Sequence, residues 1–239
     1  FWAEAETRIA ARAKGAAAPL RALKALKCGV EEGVEAGLAL ERSTFLELRA
    51  AEEAAALRYL FFAERAALRP ADIRGLRPRS FETVGVVGGG TMGSGIAAAL
   101  LNAGLSVLLI EQDEAGVSRA RSTLEGIFES SRRKGLITDD EASARMARLE
   151  TRIGYGPAGR CDLVIEAVFE NLDVKRSVFA ALGRVCRPET VLATNTSYID
   201  PRLIAAGLPH PQRFLGLHFF SPAQVMKLLE IVPTPETAA

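Results

Sequence analysis

Ser197, His218 and Glu230 are residue types that move protons, and His218 is one of only two histidines in the chain. His218 opens the stretch "HFFSPAQVMKLLE", which closes on Glu230. An imidazole with a reference pKa of about 6.5 can take the proton of a hydroxyl and return it in the reverse direction. Glu230 lies inside the apolar run "MKLLEIV", where an unpaired carboxylate would be unfavourable. Pairing with the imidazole would satisfy it, fix the tautomer and favour the protonated ring. Ser197, in "NTS", could hydrogen-bond the oxygen that loses the proton.

Each residue also has a purely structural reading. His218 could anchor a loop at a strand end, and Glu230 could point to solvent from an edge strand. Ser197 could be the N-cap of a helix starting near Asp200 or Pro201. His210, in "PHPQ", reads as a turn residue. Serine, histidine and acid are also the parts of a hydrolase triad. GxSxG is absent, however, and α/β-hydrolases place the acid before the histidine, whereas here it follows. Asn195 opens an N-x-S match, but glycosylation does not fit a chain whose start lacks the pattern of a secretory signal.

A second group of residues could hold a phosphate. In "VGVVGGGTMGSG", Gly88, Gly90 and Gly93 satisfy GxGxxG between an expected strand and an expected helix. The first glycine permits the tight turn, the second lets a pyrophosphate approach the backbone, and the third allows the helix to pack on the strand. Thr91 and Met92 lie within the motif and are counted with its cofactor-binding residues. A second strand, "SVLLI", leads into Glu111, whose carboxylate would accept hydrogen bonds from the adenosine ribose and repel a 2′-phosphate. NAD is therefore expected over NADP.

Elements able to position these groups are legible beyond residue 80. The apolar runs "TVGVV", "SVLLI", "CDLVIEAV", "VLATNTS" and "RFLGLHFF" alternate with helical stretches. Such runs are buried parallel strands, so this part is expected to be α/β: a Rossmann-like, doubly wound, mostly parallel sheet. Ligands bind outside the carboxyl ends of such strands, where Asn195, Ser197 and His218 would converge near a nicotinamide. Before residue 80, Ala, Leu, Arg and Glu dominate with apolar residues at three- and four-residue spacing, which predicts two or three amphipathic helices in a small all-α segment. Between the two parts, "RPADIRGLRPRSFE" reads as a linker. The expected domains are 1–79 and 80–239.

Composition limits the partners. With 239 residues, 49% hydrophobic, 25% charged and a formal charge of +1, the chain can bury a sizeable core but offers no single-sign field for nucleic acid or an anionic membrane. Cys28, Cys161 and Cys186 are odd in number and lack CxxC spacing, so neither a disulfide framework nor a zinc site is expected. No run of about 18 uninterrupted apolar residues could span a bilayer. The absence of an initial Met suggests a fragment.

The motifs "VGVVGGGTMGSGIA", "DLVIEAVFENLDVK", "NTS" and "HFFSPAQVMKLLE", in that order, resemble the NAD-binding domain of L-3-hydroxyacyl-CoA dehydrogenases over residues 82 to 236. The resemblance implies that His218 is the general base, Glu230 its acidic partner, and Ser197 a contact of the substrate hydroxyl. It further implies that Glu111 binds the adenosine ribose and that Glu170, Lys175 and Asn195 line the nicotinamide half of the site. Many relatives have Asp where this chain has Glu111.

The helical part, "EAGLALERSTFLELRAAEEAAALRYLFFAER", resembles the segment joining a hydratase/isomerase module to the dehydrogenase in multifunctional β-oxidation enzymes. Ser221 points the same way, because single-function dehydrogenases of the family usually have Asn there. The resemblance implies an acyl-CoA substrate and oxidation of (3S)-3-hydroxyacyl-CoA to 3-ketoacyl-CoA. It also implies two absent partner domains, an upstream hydratase and a downstream helical domain with a catalytic Asn, so the chain is expected to be truncated at both ends and inactive or weakly active alone. The alternatives are a non-catalytic NAD-binding or docking module and a stand-alone 3-hydroxybutyryl-CoA dehydrogenase. A bacterial cytoplasmic setting is expected from the Ala- and Arg-rich composition, with a peroxisomal one as the alternative.

Overall fold

The computed structural model describes residues 1–68, 70 and 73–238; Arg69, Ala71 and Asp72, within the expected linker, and Ala239 lie outside the described residues. The chain divides into two compact units, Phe1–Leu76 and Arg77–Ala239.

The first unit holds four helices among its described residues, α1 (Trp2–Ala13), α2 (Ala18–Glu31), α3 (Val34–Ala50) and α4 (Glu52–Ala67), where the apolar spacing predicts two or three. The breaks are backbone events: Lys14 and Gly15 turn left-handed, Gly33 takes φ 103, and Ala51 is extended. Helices α2 and α3 approach closely because glycines face each other, since a Cβ on Gly37 would lie 2.6 Å from the Cα of Gly29. Their apolar ridges remain open, with Leu26, Val30, Val34 and Leu38 all exposed.

The second unit is a seven-stranded sheet in the order β3-β2-β1-β4-β5-β6-β7. Its strands are β1 (Thr83–Val87), β2 (Ser106–Glu111), β3 (Leu149–Ile153), β4 (Leu163–Glu166), β5 (Val191–Thr194), β6 (Phe214–Phe219) and β7 (Leu229–Pro233). All neighbours are parallel except β6 and β7. This is the doubly wound Rossmann order with an added antiparallel edge, and its topological switch lies between β1 and β4.

Both faces of the central strands β1, β2, β4 and β5 are covered, which is why these strands read as continuous apolar runs, whereas β7 at the edge is exposed along its length. Val84 and Val86 of β1 and Leu109 of β2 pack under α5 (Thr91–Asn102) and α6 (Glu114–Arg133), through Ile96, Leu101, Leu124 and Phe128. On the opposite face Leu108, Ile110 and Val164 meet α8 (Leu172–Val185), through Val178, Phe179 and Leu182. Phe179 and Phe214 stack edge to face at 5.0 Å; burying a side chain of this size stabilises by about 1.5–3 kcal/mol.

Four helices of the second unit start on a side-chain cap. Asp113 caps α6, Asn171 caps α8, and Thr138 with Glu141 forms a capping box on α7 (Asp139–Met146). Asp200, not Ser197, caps α9 (Pro201–Ala205), accepting from the Arg202 amide at 2.9 Å. Ser197 is thus free of the capping role. No helix among the described residues is long and apolar enough to cross a membrane.

Candidate active site

The carboxyl ends of β1, β4, β5 and β6 share one edge of the sheet because the four strands are parallel. The sequence-predicted residues fall there in two groups, separated by three strand spacings, or about 14 Å.

The first group surrounds the turn after β1. Gly88 takes φ +94 and donates to the Ile110 carbonyl at 2.9 Å. A Cβ on Gly93 would lie 1.7 Å from the Gly88 oxygen, so helix and turn are in backbone contact. Beside Gly90 nothing lies within 4 Å of a Cβ, and Gly90 precedes α5 without any side-chain cap. Thr91 is exposed on the first turn, and Met92 packs against the core. An open helix start beside bare backbone is suited to a pyrophosphate.

Glu111 closes the far side of this loop. Its Oε1 accepts from the Gly89 amide at 2.6 Å and its Oε2 from the Gln112 amide at 3.2 Å. A cavity of about 540 Å³ is lined by Gly88, Gly90, Glu111, Tyr155, Val168 and Phe169, among others. The residues present therefore fit a dinucleotide: bare backbone at the phosphates, a carboxylate one strand away, and an apolar pocket between.

The second group joins β5, β6 and β7. His218 and Glu230 are register partners across the antiparallel β6–β7 pair, so their side chains leave the same face about 5 Å apart. His218 Nδ1 lies 2.7 Å from Glu230 Oε2, and Ser197 Oγ lies 3.3 Å from His218 Nε2. The Glu230 side chain is 52% exposed on an edge strand. The expectation that burial drives this pairing is therefore corrected, because cross-strand register does so. With the carboxylate on Nδ1, the neutral ring presents its lone pair at Nε2, toward the Ser197 hydroxyl. Phe220 flanks the imidazole at 4.5 Å between ring centroids, and His210 sits apart in a left-handed turn. Asn195 Oδ1 accepts from the Phe219 amide at 2.9 Å, tying the end of β5 to that of β6.

Glu170 and Lys175 lie under the same edge but differ in access. Glu170 Oε1 accepts from the Thr196 hydroxyl and from the amides of Ser197 and Tyr198 at 3.0 and 3.2 Å. Lys175 Nζ lies 2.7 Å from Glu166 Oε1 and 3.2 Å from Glu170 Oε2, with its side chain 0% exposed. It lies behind the wall it is expected to line. Glu166, Thr194 and Thr196 belong to this cluster and are absent from the sequence-based set.

Burial would raise the Glu170 carboxyl, but the Thr196 hydroxyl, the Tyr198 amide and the Lys175 ammonium bring it down to about 2. A depressed carboxylate contributes stability above its unfolded pKa, and that contribution is lost as pH falls toward the folded value. The difference in urea-unfolding stability between the protein and its Glu170→Gln variant should thus be largest above about pH 5 and shrink toward pH 2. A difference that does not vary with pH would show that the ionised carboxylate is not what Thr196 to Tyr198 depend on.

Residues 83–239 match the model of the NAD-binding domain of 3-hydroxyacyl-CoA dehydrogenases. The chain belongs to that family. NAD is the cofactor of this domain. Among similar proteins, the peroxisomal bifunctional enzyme of Cavia porcellus is 36% identical over 98% of this chain and 33% of its own length. The glyoxysomal fatty acid beta-oxidation multifunctional protein of Cucumis sativus is 39% identical over 91% of this chain and 30% of its own length. The chain thus spans about a third of the curated relatives it matches. The crystal structure of 3-hydroxybutyryl-CoA dehydrogenase from Escherichia coli matches with a TM-score of 0.66 at 41% identity, covering 67% of this chain and 34% of that one. The dehydrogenase part of multifunctional enzyme 1 from C. elegans matches with a TM-score of 0.61 at 30% identity, covering 67% and 36%.

Proposed function

We propose that this chain is the cofactor-binding part of an enzyme that oxidises (3S)-3-hydroxyacyl-CoA to 3-ketoacyl-CoA in fatty-acid β-oxidation. The observation that carries the reading is the Ser197–His218–Glu230 chain, at 3.3 and 2.7 Å, on the same sheet edge as the glycine turn. Bound NAD supplies the hydride acceptor. His218 Nε2 takes the proton of the substrate hydroxyl as the C–H hydride leaves the same carbon. Glu230 holds Nδ1–H and stabilises the imidazolium that forms, and the Ser197 hydroxyl orients the substrate oxygen. Gly88, Gly90, Thr91, Met92 and Gly93 hold the pyrophosphate side, and Glu111 the adenosine ribose. Glu170, Lys175 and Asn195 shape the nicotinamide half, with Lys175 acting through Glu170.

Residues 1–79 are assigned to the tail of a hydratase/isomerase module and 80–239 to the NAD-binding domain. The support is that multifunctional relatives align over 91% and 98% of the chain, whereas the E. coli 3-hydroxybutyryl-CoA dehydrogenase structure covers 67%. The partners are then a hydratase module and a helical domain of the same polypeptide. The named relatives are peroxisomal or glyoxysomal, which favours the alternative setting of the sequence reading over the bacterial cytoplasm.

The direct test is reduction of NAD by the intact protein with a (3S)-3-hydroxyacyl-CoA; no substrate-dependent NADH would refute the reading. Fluorescence titration of this chain with NADH and NADPH tests the cofactor half separately. NADH should bind more tightly, because the Glu111 carboxylate would face a 2′-phosphate. Glu111→Ala should weaken NADH and narrow its advantage over NADPH, and an unaltered preference would put Glu111 outside the ribose site.

A further inference from the structure

Glu166 is a fully buried carboxylate that the proposed chemistry does not use. It ends β4, and its side chain and that of Lys175 are both 0% exposed. Oε1 accepts from the Val168 amide at 2.8 Å and from Lys175 Nζ at 2.7 Å, while Oε2 accepts from the Thr194 hydroxyl at 2.7 Å. One carboxylate thereby joins the end of β4, the start of α8 and the end of β5.

Stability is a poor explanation for such a group. A buried ion pair is often no more stabilising than apolar residues of the same volume, because desolvation offsets the Coulombic gain. What the pair does supply is direction. Lys175 Nζ, held by Glu166, reaches Glu170 Oε2 at 3.2 Å. The other oxygen of Glu170 gathers the Thr196 hydroxyl and the Ser197 and Tyr198 amides. Those contacts fix the backbone that carries Ser197 Oγ to 3.3 Å from His218 Nε2.

We infer that Glu166 is a positioning residue for the hydride-transfer site, acting through Lys175 and Glu170 to set the Ser197 hydroxyl against His218. The inference rests on the dehydrogenase reading above. Asn195 braces the other side of the same loop through the Phe219 amide, so the Ser197 segment is held from both flanks. Without Glu166, Lys175 has one carboxylate partner instead of two, and Glu170 is free to follow it away from the loop. Misplacement of a reacting group by about 1 Å can lower the rate by up to about 100-fold.

The test is a double-mutant cycle on the intact protein with Glu166→Gln and Ser197→Ala, reading kcat, KM for the acyl-CoA and NADH affinity. If Glu166 acts through Ser197, Glu166→Gln lowers kcat by about tenfold or more with less effect on KM, and adding Ser197→Ala lowers it little further. Additive effects, or an unchanged kcat in Glu166→Gln, would overturn the inference. Should Glu166→Gln fold poorly because Lys175 is left half-paired, Glu166→Gln with Lys175→Met removes both charges and takes its place in the cycle. Recovered stability with kcat still low and coupled to Ser197 supports positioning by the Glu166–Lys175 pair as a unit, since Lys175 is the link to Glu170; recovered kcat means the pair serves only the fold and overturns the inference. A wild-type protein without hydroxyacyl-CoA oxidation would refute the functional reading itself, whereas an active wild type with additive effects removes only Glu166.

Discussion

Replacing His218 by Gln in the intact protein should lower turnover with a 3-hydroxyacyl-CoA by about 100-fold or more, the range lost with a general base. Gln is close in size and can still accept a hydrogen bond from Ser197, but it cannot hold a proton at neutral pH. The hydroxyl would then have to lose its proton without a local acceptor as the hydride departs. NADH affinity should change little, because His218 stands three strands from the glycine turn. That combination, lost kcat with retained NADH binding, separates a base from a residue that merely holds β6 in place. Unchanged turnover would remove His218 from the chemistry, and an equal loss of NADH binding would point to a collapsed site.

Much of this arrangement is legible in the amino-acid sequence. The apolar runs of β1, β2, β4, β5 and β6 stand out because both sheet faces are covered, and the glycine spacing marks the turn after β1. Strand β3, "LETRI", is not legible. It lies at the sheet edge with Glu150 and Arg152 partly or fully exposed, so its composition carries little β signal. For His218 and Glu230 the residue types suggest the pairing but the wrong cause, since a twelve-residue separation does not reveal that the two are register partners on an exposed edge. Glu166 escapes sequence reasoning because a single acid after "LVI" looks like an ordinary strand end. Its meaning depends on Lys175 and Thr194 arriving from α8 and β5, which no local spacing discloses. The same limit hides the burial of Lys175, which the resemblance places in the wall of the nicotinamide site and not behind it.

Gly93→Ala should weaken NADH binding by about fivefold to 150-fold and lower the thermal midpoint as well. The added methyl would lie 1.7 Å from the Gly88 oxygen and 2.9 Å from the Gly88 carbonyl carbon, and neither backbone atom can rotate away. Gly88 has no room to retreat, because its own Cβ position is 2.9 Å from the Ala167 oxygen of the neighbouring turn and its amide is bound to Ile110. The strain must therefore lift the start of α5 off β1, at about 1–3 kcal/mol for overpacking of this kind, or roughly fivefold to 150-fold in an equilibrium constant. Gly90→Ala is the informative contrast. Its methyl meets nothing within 4 Å, so the free protein should keep its thermal midpoint while NADH, whose pyrophosphate needs that space, binds less tightly. Loss of stability at Gly93 together with loss of binding alone at Gly90 would locate the phosphates over Gly90. Wild-type NADH affinity in Gly90→Ala would mean that the dinucleotide crosses the turn elsewhere, and the cavity beside Glu111 would need another occupant.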